Sequence, residues 1–196
     1  MDVVLVDAGG ANIGSLQYAF RRLGVDAVMS ADAGRIRAAS HVVLPGVGAA
    51  AEGMRRLHDN GLADVVRTLT QPVLGVCLGM QLLFEHSEEG DTPCLGLIPG
   101  RVERLDGSAG VRVPHMGWNG LRVERRDPLL DGVDDGLQTY FVHSYAVAPG
   151  AATLASSTHG RRFTAVVRHG HFCGMQCHPE RSGTVGARLL KNFLCL

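Results

Sequence analysis

The sequence predicts an α/β fold: a central, mostly parallel sheet flanked by helices, with an added antiparallel or mixed layer in the C-terminal half. Two observations carry this reading. In the first half, short apolar runs alternate with stretches of helical periodicity, the pattern of a parallel sheet covered on both faces. From about residue 95 to 176 the helical stretches stop, and short strand-like runs follow one another across Gly- and Pro-rich connections.

Taken in order, residues 3–6 form an apolar run that ends at Asp7 and a glycine-rich turn. Ile13, Leu16, Ala19, Phe20 and Leu23 then recur at helical spacing up to Gly24. Residues 27–29 and 41–44 read as the second and third strands, the latter broken by Pro45-Gly46-Val47-Gly48. A helical stretch begins at Glu52, is interrupted at Asn60-Gly61 and resumes through Leu62, Val65, Val66 and Leu69. Residues 73–76 form the next buried strand, with a helix through Met80, Leu82, Leu83 and Phe84. The later strands are expected at 95–105, 120–123, 138–147, 153–156, 163–168 and 171–176, and a terminal amphipathic helix over 185–194 buries Leu189, Leu190, Phe193 and Leu194. No solenoid-type repeat is present.

Bulk properties exclude several functions. Nineteen basic and nineteen acidic residues cancel and form no dense basic run, so nucleic acid is not an expected partner. No apolar run approaches the roughly 20 residues of a membrane span, and the first residues lack the features of a signal peptide, so the expectation is a cytoplasmic protein that binds no membrane. Five cysteines without framework spacing read as reduced thiols. With 196 residues and no linker-like stretch, one domain is expected.

One of those thiols stands in a reactive context. In Gly75-Val76-Cys77-Leu78-Gly79-Met80-Gln81 a cysteine lies between two glycines where a buried strand runs directly into a helix. A side chain on such a turn is presented at the carboxyl edge of the sheet, and the start of the helix favours thiolate and offers N–H groups to an oxyanion. By itself the motif is weak, because small buried cysteines beside glycine are common at strand ends. A second segment, Gly174-Met175-Gln176-Cys177-His178-Pro179-Glu180, carries an imidazole and a carboxylate two residues apart on a proline-stiffened turn. A thiolate nucleophile needs such a base, and the base needs an acceptor to fix its tautomer. Taken singly, a His-Pro-Glu turn is more often a surface loop.

Together the two segments resemble the class I (triad) glutamine amidotransferases. Residues 7–15, Pro45-Gly46-Val47-Gly48, Gly96-Leu97-Ile98-Pro99-Gly100, Pro114-His115-Met116-Gly117-Trp118-Asn119 and Tyr140-Phe141-Val142-His143-Ser144-Tyr145 narrow the resemblance to glutaminase subunits of imidazole glycerol phosphate synthase, over nearly the whole chain. The resemblance implies a single amidotransferase domain over 1–196 that hydrolyses L-glutamine to glutamate and ammonia without a cofactor or metal. It makes Cys77 the nucleophile, His178 the base and Glu180 its orienter. It places an oxyanion hole at the backbone of Val47 and Leu78, and substrate contacts at Gly46, Gln81, Ser144 and Tyr145. Its partner would be a (β/α)8-barrel cyclase subunit that receives the ammonia for histidine biosynthesis, docked on Pro114, Met116, Trp118 and Asn119.

The chain departs from that pattern at Asp7-Ala8-Gly9-Gly10-Ala11-Asn12, where relatives carry an aromatic at the second place and a glycine before the asparagine. Cys177 occupies a place that is usually aromatic, which makes oxidation sensitivity an expectation. The acidic residues Glu88, Glu89 and Asp91 have no assigned chemistry. Rival readings are weaker. A dinucleotide loop at 9–14 lacks its middle glycine, because Ala11 stands there. A metal site from His171, Cys173, Cys177 and His178 fails because the two cysteines would stand about 13 Å apart along a strand. His115 and His143 are equally consistent with satisfied structural histidines. The remaining alternatives are a glutaminase serving another synthase, a cysteine peptidase or a non-catalytic binding protein.

Overall fold

The computed structural model describes residues 1–9, 13–108 and 110–196, so Gly10, Ala11 and Asn12 of the divergent first turn lie outside the described residues. Strands β1 (Val3–Val6), β2 (Val28–Ser30), β3 (His41–Gly46) and β4 (Val73–Cys77) alternate with helices α1 (Gly14–Arg22), α2 (Ala33–Ala38), α3 (Ala50–Asp59), α4 (Leu62–Arg67) and α5 (Leu78–Leu82). Then follow β5 (His86–Ser87), β6 (Thr92–Pro93), β7 (Arg101–Arg104), β8 (His115–Gly120), β9 (Arg122–Val123), β10 (Gln138–His143), β11 (Tyr145–Val147), β12 (Thr153–His159), β13 (Arg161–His169), β14 (Phe172–Met175) and helix α6 (Gly183–Leu194).

Side chains alternate across β1 into two cores. Val3 and Leu5 join Phe20 of α1 and Leu189, Leu190 and Phe193 of α6, whereas Val4 and Val6 join Ile36, Met54, Leu57 and Leu62 on the other face. Both faces are covered, which is why the strand reads as a continuous apolar run. Each fully buried Leu or Phe in these layers contributes about 1.5–3 kcal/mol.

The main sheet has eight strands in the order β2-β1-β3-β4-β14-β13-β12-β9. Its first part, through β14, is parallel, and β13, β12 and β9 continue it antiparallel. The C-terminal half therefore extends the same sheet. The smaller β8–β10 ribbon and the β11-β7-β5-β6 sheet form the added mixed layer.

Two local expectations need correction, and one helix was not expected. Helix α2 carries only Ile36 as a buried apolar residue and shows no stripe, so periodicity does not reveal it; Asp32 caps its first turn by accepting from Arg35 N at 2.6 Å. Of 95–105, only Arg101–Arg104 is strand. The backbone N–H groups of Leu95, Gly96, Leu97 and Ile98 instead donate to the carbonyls of Leu82, Leu83 and Phe84, so this apolar run satisfies the carbonyls left open at the buried C-terminal end of α5. The stretch 138–147 is two strands that break at Ser144 and enter different sheets.

Candidate active site

The carboxyl ends of β3, β4 and β14 lie side by side. Gly46 pairs with Cys77, and Val76 pairs with Met175, so segments about 100 positions apart in sequence end on one sheet edge. At this edge Cys77 takes φ 54° and ψ −113°, a left-handed conformation that costs a non-glycine residue about 1–3 kcal/mol. The strain falls on the cysteine itself. The neighbouring glycines answer a different need, close backbone approach: a Cβ on Gly79 would stand 1.8 Å from the Leu44 carbonyl oxygen, and one on Gly75 would stand 2.6 Å from the Gly79 oxygen. Helix α5 thus starts hard against β3, and its first N–H groups have no carbonyl four residues back to receive them.

His178 follows β14 on the turn Pro179–Arg181. Its backbone N–H donates to the Tyr140 carbonyl at 2.8 Å, and Ser182 Oγ donates to the His178 carbonyl at 2.7 Å while accepting from Tyr140 N at 2.9 Å. Gly186 lets α6 seat beneath this turn, because a Cβ there would lie 1.9 Å from the Pro179 oxygen. His178 Nδ1 is 2.9 Å from Glu180 Oε1. Since the carboxylate accepts, Nδ1 carries the proton and Nε2 is left for the nucleophile. Burial disfavours charge on this imidazole, but its hydrogen bonds to Cys77 and Glu180 outweigh that cost and raise its pKa to about 10. Glu180 Oε2 is buried with no hydrogen-bond partner among the described residues, which makes the carboxylate depend on the imidazolium for compensation.

Cys77, Leu78, Val47, Gln81, His143, Ser144, Tyr145 and His178 line one cleft of about 440 Å3. A thiol, an imidazole held in one tautomer and a carboxylate behind it are the parts of a nucleophilic acyl-transfer site.

The family pattern described as Glutamine amidotransferase class-I matches residues 4–196. The chain is 56% identical over 193 residues to the imidazole glycerol phosphate synthase subunit HisH of Xylella fastidiosa, covering 98% of this chain and 96% of that protein. It is likewise 56% identical to the subunit of that name from Xanthomonas euvesicatoria pv. vesicatoria, with the same coverage. The chain belongs to the class-I glutamine amidotransferases, among these HisH subunits. Solved structures agree on the fold: a crystal structure titled glutamine amidotransferase superposes with a TM-score of 0.76 at 22% identity, covering 99% of this chain and 97% of that one. A glutamine amidotransferase from Thermotoga maritima gives 0.64 at 19% identity, covering 99% and 83%.

The remaining expected residues of this amidotransferase fall in distinct places. Gln81 is buried, with Nε2 donating to the Tyr145 carbonyl at 2.9 Å and to Gln176 Oε1 at 3.0 Å. Gly46 ends β3 beside Cys77 with its Cβ position blocked at 2.6 Å by the Gly79 nitrogen. On β8, Met116 and Trp118 are 62% and 56% exposed, and the Trp118 ring meets the edge of Tyr140, which in turn lies under the Arg181 guanidinium at 4.8 Å. Pro114 is exposed and lines the cleft. Asn119, expected to dock a partner alongside them, is half-buried and its amide nitrogen donates to the Thr158 carbonyl at 2.8 Å and faces His115 Nε2 at 3.3 Å. Cys177 is fully buried, and burial pushes its thiol up to about 12, so the expected oxidation sensitivity gives way to an inert, shielded sulfur.

Two residues escape the sequence reading. Gln176 is wholly buried and points Nε2 at Cys77 Sγ, 3.9 Å away. Its signal is a lone amide at the end of an apolar strand, where a buried polar group must have a partner. Glu89 lines the cleft and accepts from Ala50 N at 2.8 Å, capping α3, whose own N-cap residue is Ala49. The missing Ser, Thr or Asp before α3 is the trace it leaves in the sequence.

His115 and His143 are buried and hydrogen-bonded to each other, Nδ1 to Nε2, at 3.0 Å. Burial, reinforced by neighbouring imidazoles, pushes His115 down to about 4 and His143 to about 3. Both have folded values below the unfolded 6.5, so the unfolded chain takes up protons first. The pair's contribution to stability is therefore retained above that value and lost as pH falls from it toward about 4. The slope for two protons is at most about 2–3 kcal/mol per pH unit. Urea midpoints at pH 7 and pH 5 measure it; equal midpoints would contradict the burial of two neutral imidazoles.

Proposed function

We propose that residues 1–196 act as one cytoplasmic amidotransferase domain that hydrolyses L-glutamine through Cys77, His178 and Glu180, and that passes the ammonia to a (β/α)8-barrel cyclase subunit of imidazole glycerol phosphate synthase. The observation that carries this reading is the placement of Cys77 and the Glu180-bound His178 on neighbouring parallel strand ends within one cleft.

In the first step the Cys77 S–H proton passes to His178 Nε2, leaving an imidazolium, and the sulfur attacks the carboxamide carbon, forming the C–S bond and moving the carbonyl π electrons onto oxygen. That oxyanion faces the backbone N–H groups of Leu78 and Val47, which flank the paired Cys77 and Gly46. The His178 imidazolium then gives its Nε2 proton to the amide nitrogen, the C–N bond breaks and ammonia leaves. Water adds to the thioester while Nε2 takes its proton, and cleavage of the C–S bond releases glutamate and restores the sulfur. Gln81, Ser144 and Tyr145 border the substrate, and the Glu89 carboxylate at the rim suits its α-ammonium group. The exposed Met116 and Trp118 beside the cleft support docking of the cyclase there, with Pro114 at the margin.

Glutamate release by the purified chain, alone and with the cyclase plus its nucleotide substrate, tests both halves of the reading. Strong stimulation by the partner is expected. Trp118→Ala combined with Met116→Asp should weaken partner binding by at least about 2 kcal/mol and abolish stimulation at concentrations that saturate the parent chain. Full turnover without any partner would refute partner dependence, and no turnover in any mixture would refute the glutaminase assignment.

A further inference from the structure

We propose that His143 and His115 are positioning residues of the glutaminase site: two neutral imidazoles in tandem, each protonated at Nδ1, that fix the Tyr145 carbonyl in the cleft wall and tie it to strand β8. The inference rests on the glutaminase reading for its kinetic part, but its protonation pattern follows from hydrogen-bond directions alone.

Those directions form a closed chain. The Thr158 carbonyl can only accept, so the group of Asn119 that faces it at 2.8 Å is the amide nitrogen, and Asn119 Oδ1 accepts from Gly120 N at 2.9 Å. The same nitrogen faces His115 Nε2 at 3.3 Å, which must therefore accept. At the other end the Tyr145 carbonyl accepts from His143 Nδ1 at 2.9 Å. His143 is left with Nε2 as acceptor and His115 with Nδ1 as donor, and these two atoms meet at 3.0 Å. Neither ring has a nitrogen left for substrate, which excludes His143 as a second base although it lines the cleft. The rings pack against Phe141, Phe163 and His159, with the His115–His159 centroids 4.1 Å apart, so a charge on either would be set against these ring faces.

The Tyr145 carbonyl also receives Gln81 Nε2, so both of its lone pairs are engaged at the point where β10 gives way to β11. Through Gln81 and Gln176 the same network reaches the Cys77 sulfur. Loss of the imidazole donor frees the Tyr145–Ala146 peptide to rotate, and the cleft wall loses its shape without any loss of the reacting groups.

Two measurements test this. Long-range 1H–15N correlation on histidine-labelled chain at pH 7 should show both rings neutral and protonated at Nδ1; a charged ring, or an Nε2–H tautomer in either, overturns the proposal even if the chain does not hydrolyse glutamine. Steady-state kinetics with the cyclase partner should show His143→Leu raising KM for glutamine about tenfold with kcat within about threefold. His143→Asn, whose amide nitrogen takes the place of Nδ1, should return KM to within about threefold of the parent. Equal KM values for the two variants would reject positioning through Tyr145. If His143→Leu does not fold, His115→Phe, which keeps the stack on Phe141 and removes only the hydrogen bonds, must raise KM, and an unchanged value overturns the proposal. Absence of turnover in the parent chain would instead strike the glutaminase reading.

Discussion

Replacing Cys77 with alanine should lower glutamate release at least about 10^4-fold, because the nucleophile of a cooperating triad cannot be replaced by its partners. A second effect of the same substitution reads the electrostatics. The Cys77 sulfur is one of the two groups holding His178 at about 10, so its removal should bring the imidazole titration down toward the ordinary range while the Glu180 hydrogen bond persists. Titration of His178 by NMR in both proteins measures this, and an unshifted titration would mean that sulfur and imidazole are not coupled. A third effect concerns the backbone. Alanine keeps the strain of φ 54°, whereas Cys77→Gly relieves it, so the glycine variant should be the more stable of the two by about 1 kcal/mol.

Gly79→Ala should be at least as damaging, for a reason unrelated to chemistry. Its Cβ would enter the space of the Leu44 carbonyl at 1.8 Å, and that oxygen belongs to backbone in the middle of the main sheet and cannot swing aside. Either α5 lifts away from β3, carrying Cys77 and Leu78 out of register with Gly46, or β3 shifts within the sheet. A loss above about 4 kcal/mol is expected. Urea unfolding measures stability, and iodoacetamide alkylation of Cys77 reports on the elbow; a variant that unfolds within about 1 kcal/mol of the parent would show that the strand–helix contact is far looser than the distances require.

Much of this was legible in the sequence wherever one local cause decides the outcome. The strands β1, β3 and β4 announce themselves because burial on both faces leaves apolar runs at 3–6, 42–44 and 73–77, and α6 does so because its apolar stripe has a single face to cover. Cys77 and His178 stand out in the sequence as candidates because the chemistry proposed for them restricts residue type, and the structure brings both to one cleft. What escaped depends on distant partners. Strand β8 reads His-Met-Gly-Trp-Asn-Gly, without the β-branched residues of a usual strand, and exists because β10 pairs with it along its whole length. Glu89 lines the cleft while capping α3, which lacks a cap of its own, and the Asn119 amide is oriented by its nitrogen donating to the Thr158 carbonyl and its oxygen accepting from Gly120 N.

The strand order also bears on how the enzyme comes into being. Strand β14 sits between β4 and β13 in the interior of the main sheet, yet it is the last strand in the sequence. A chain emerging from the ribosome can form β1 through β4 with the Cys77 elbow long before residues 172–180 exist, and during that interval β4 is an open edge with a thiol at its tip and no imidazole near it. An unpaired hydrophobic edge of this kind is the hazardous stage of the fold. Insertion of β14 closes it and brings His178 and Glu180 to the Cys77 edge in the same event, so one strand pairing both removes the open edge and gathers the proposed reacting groups.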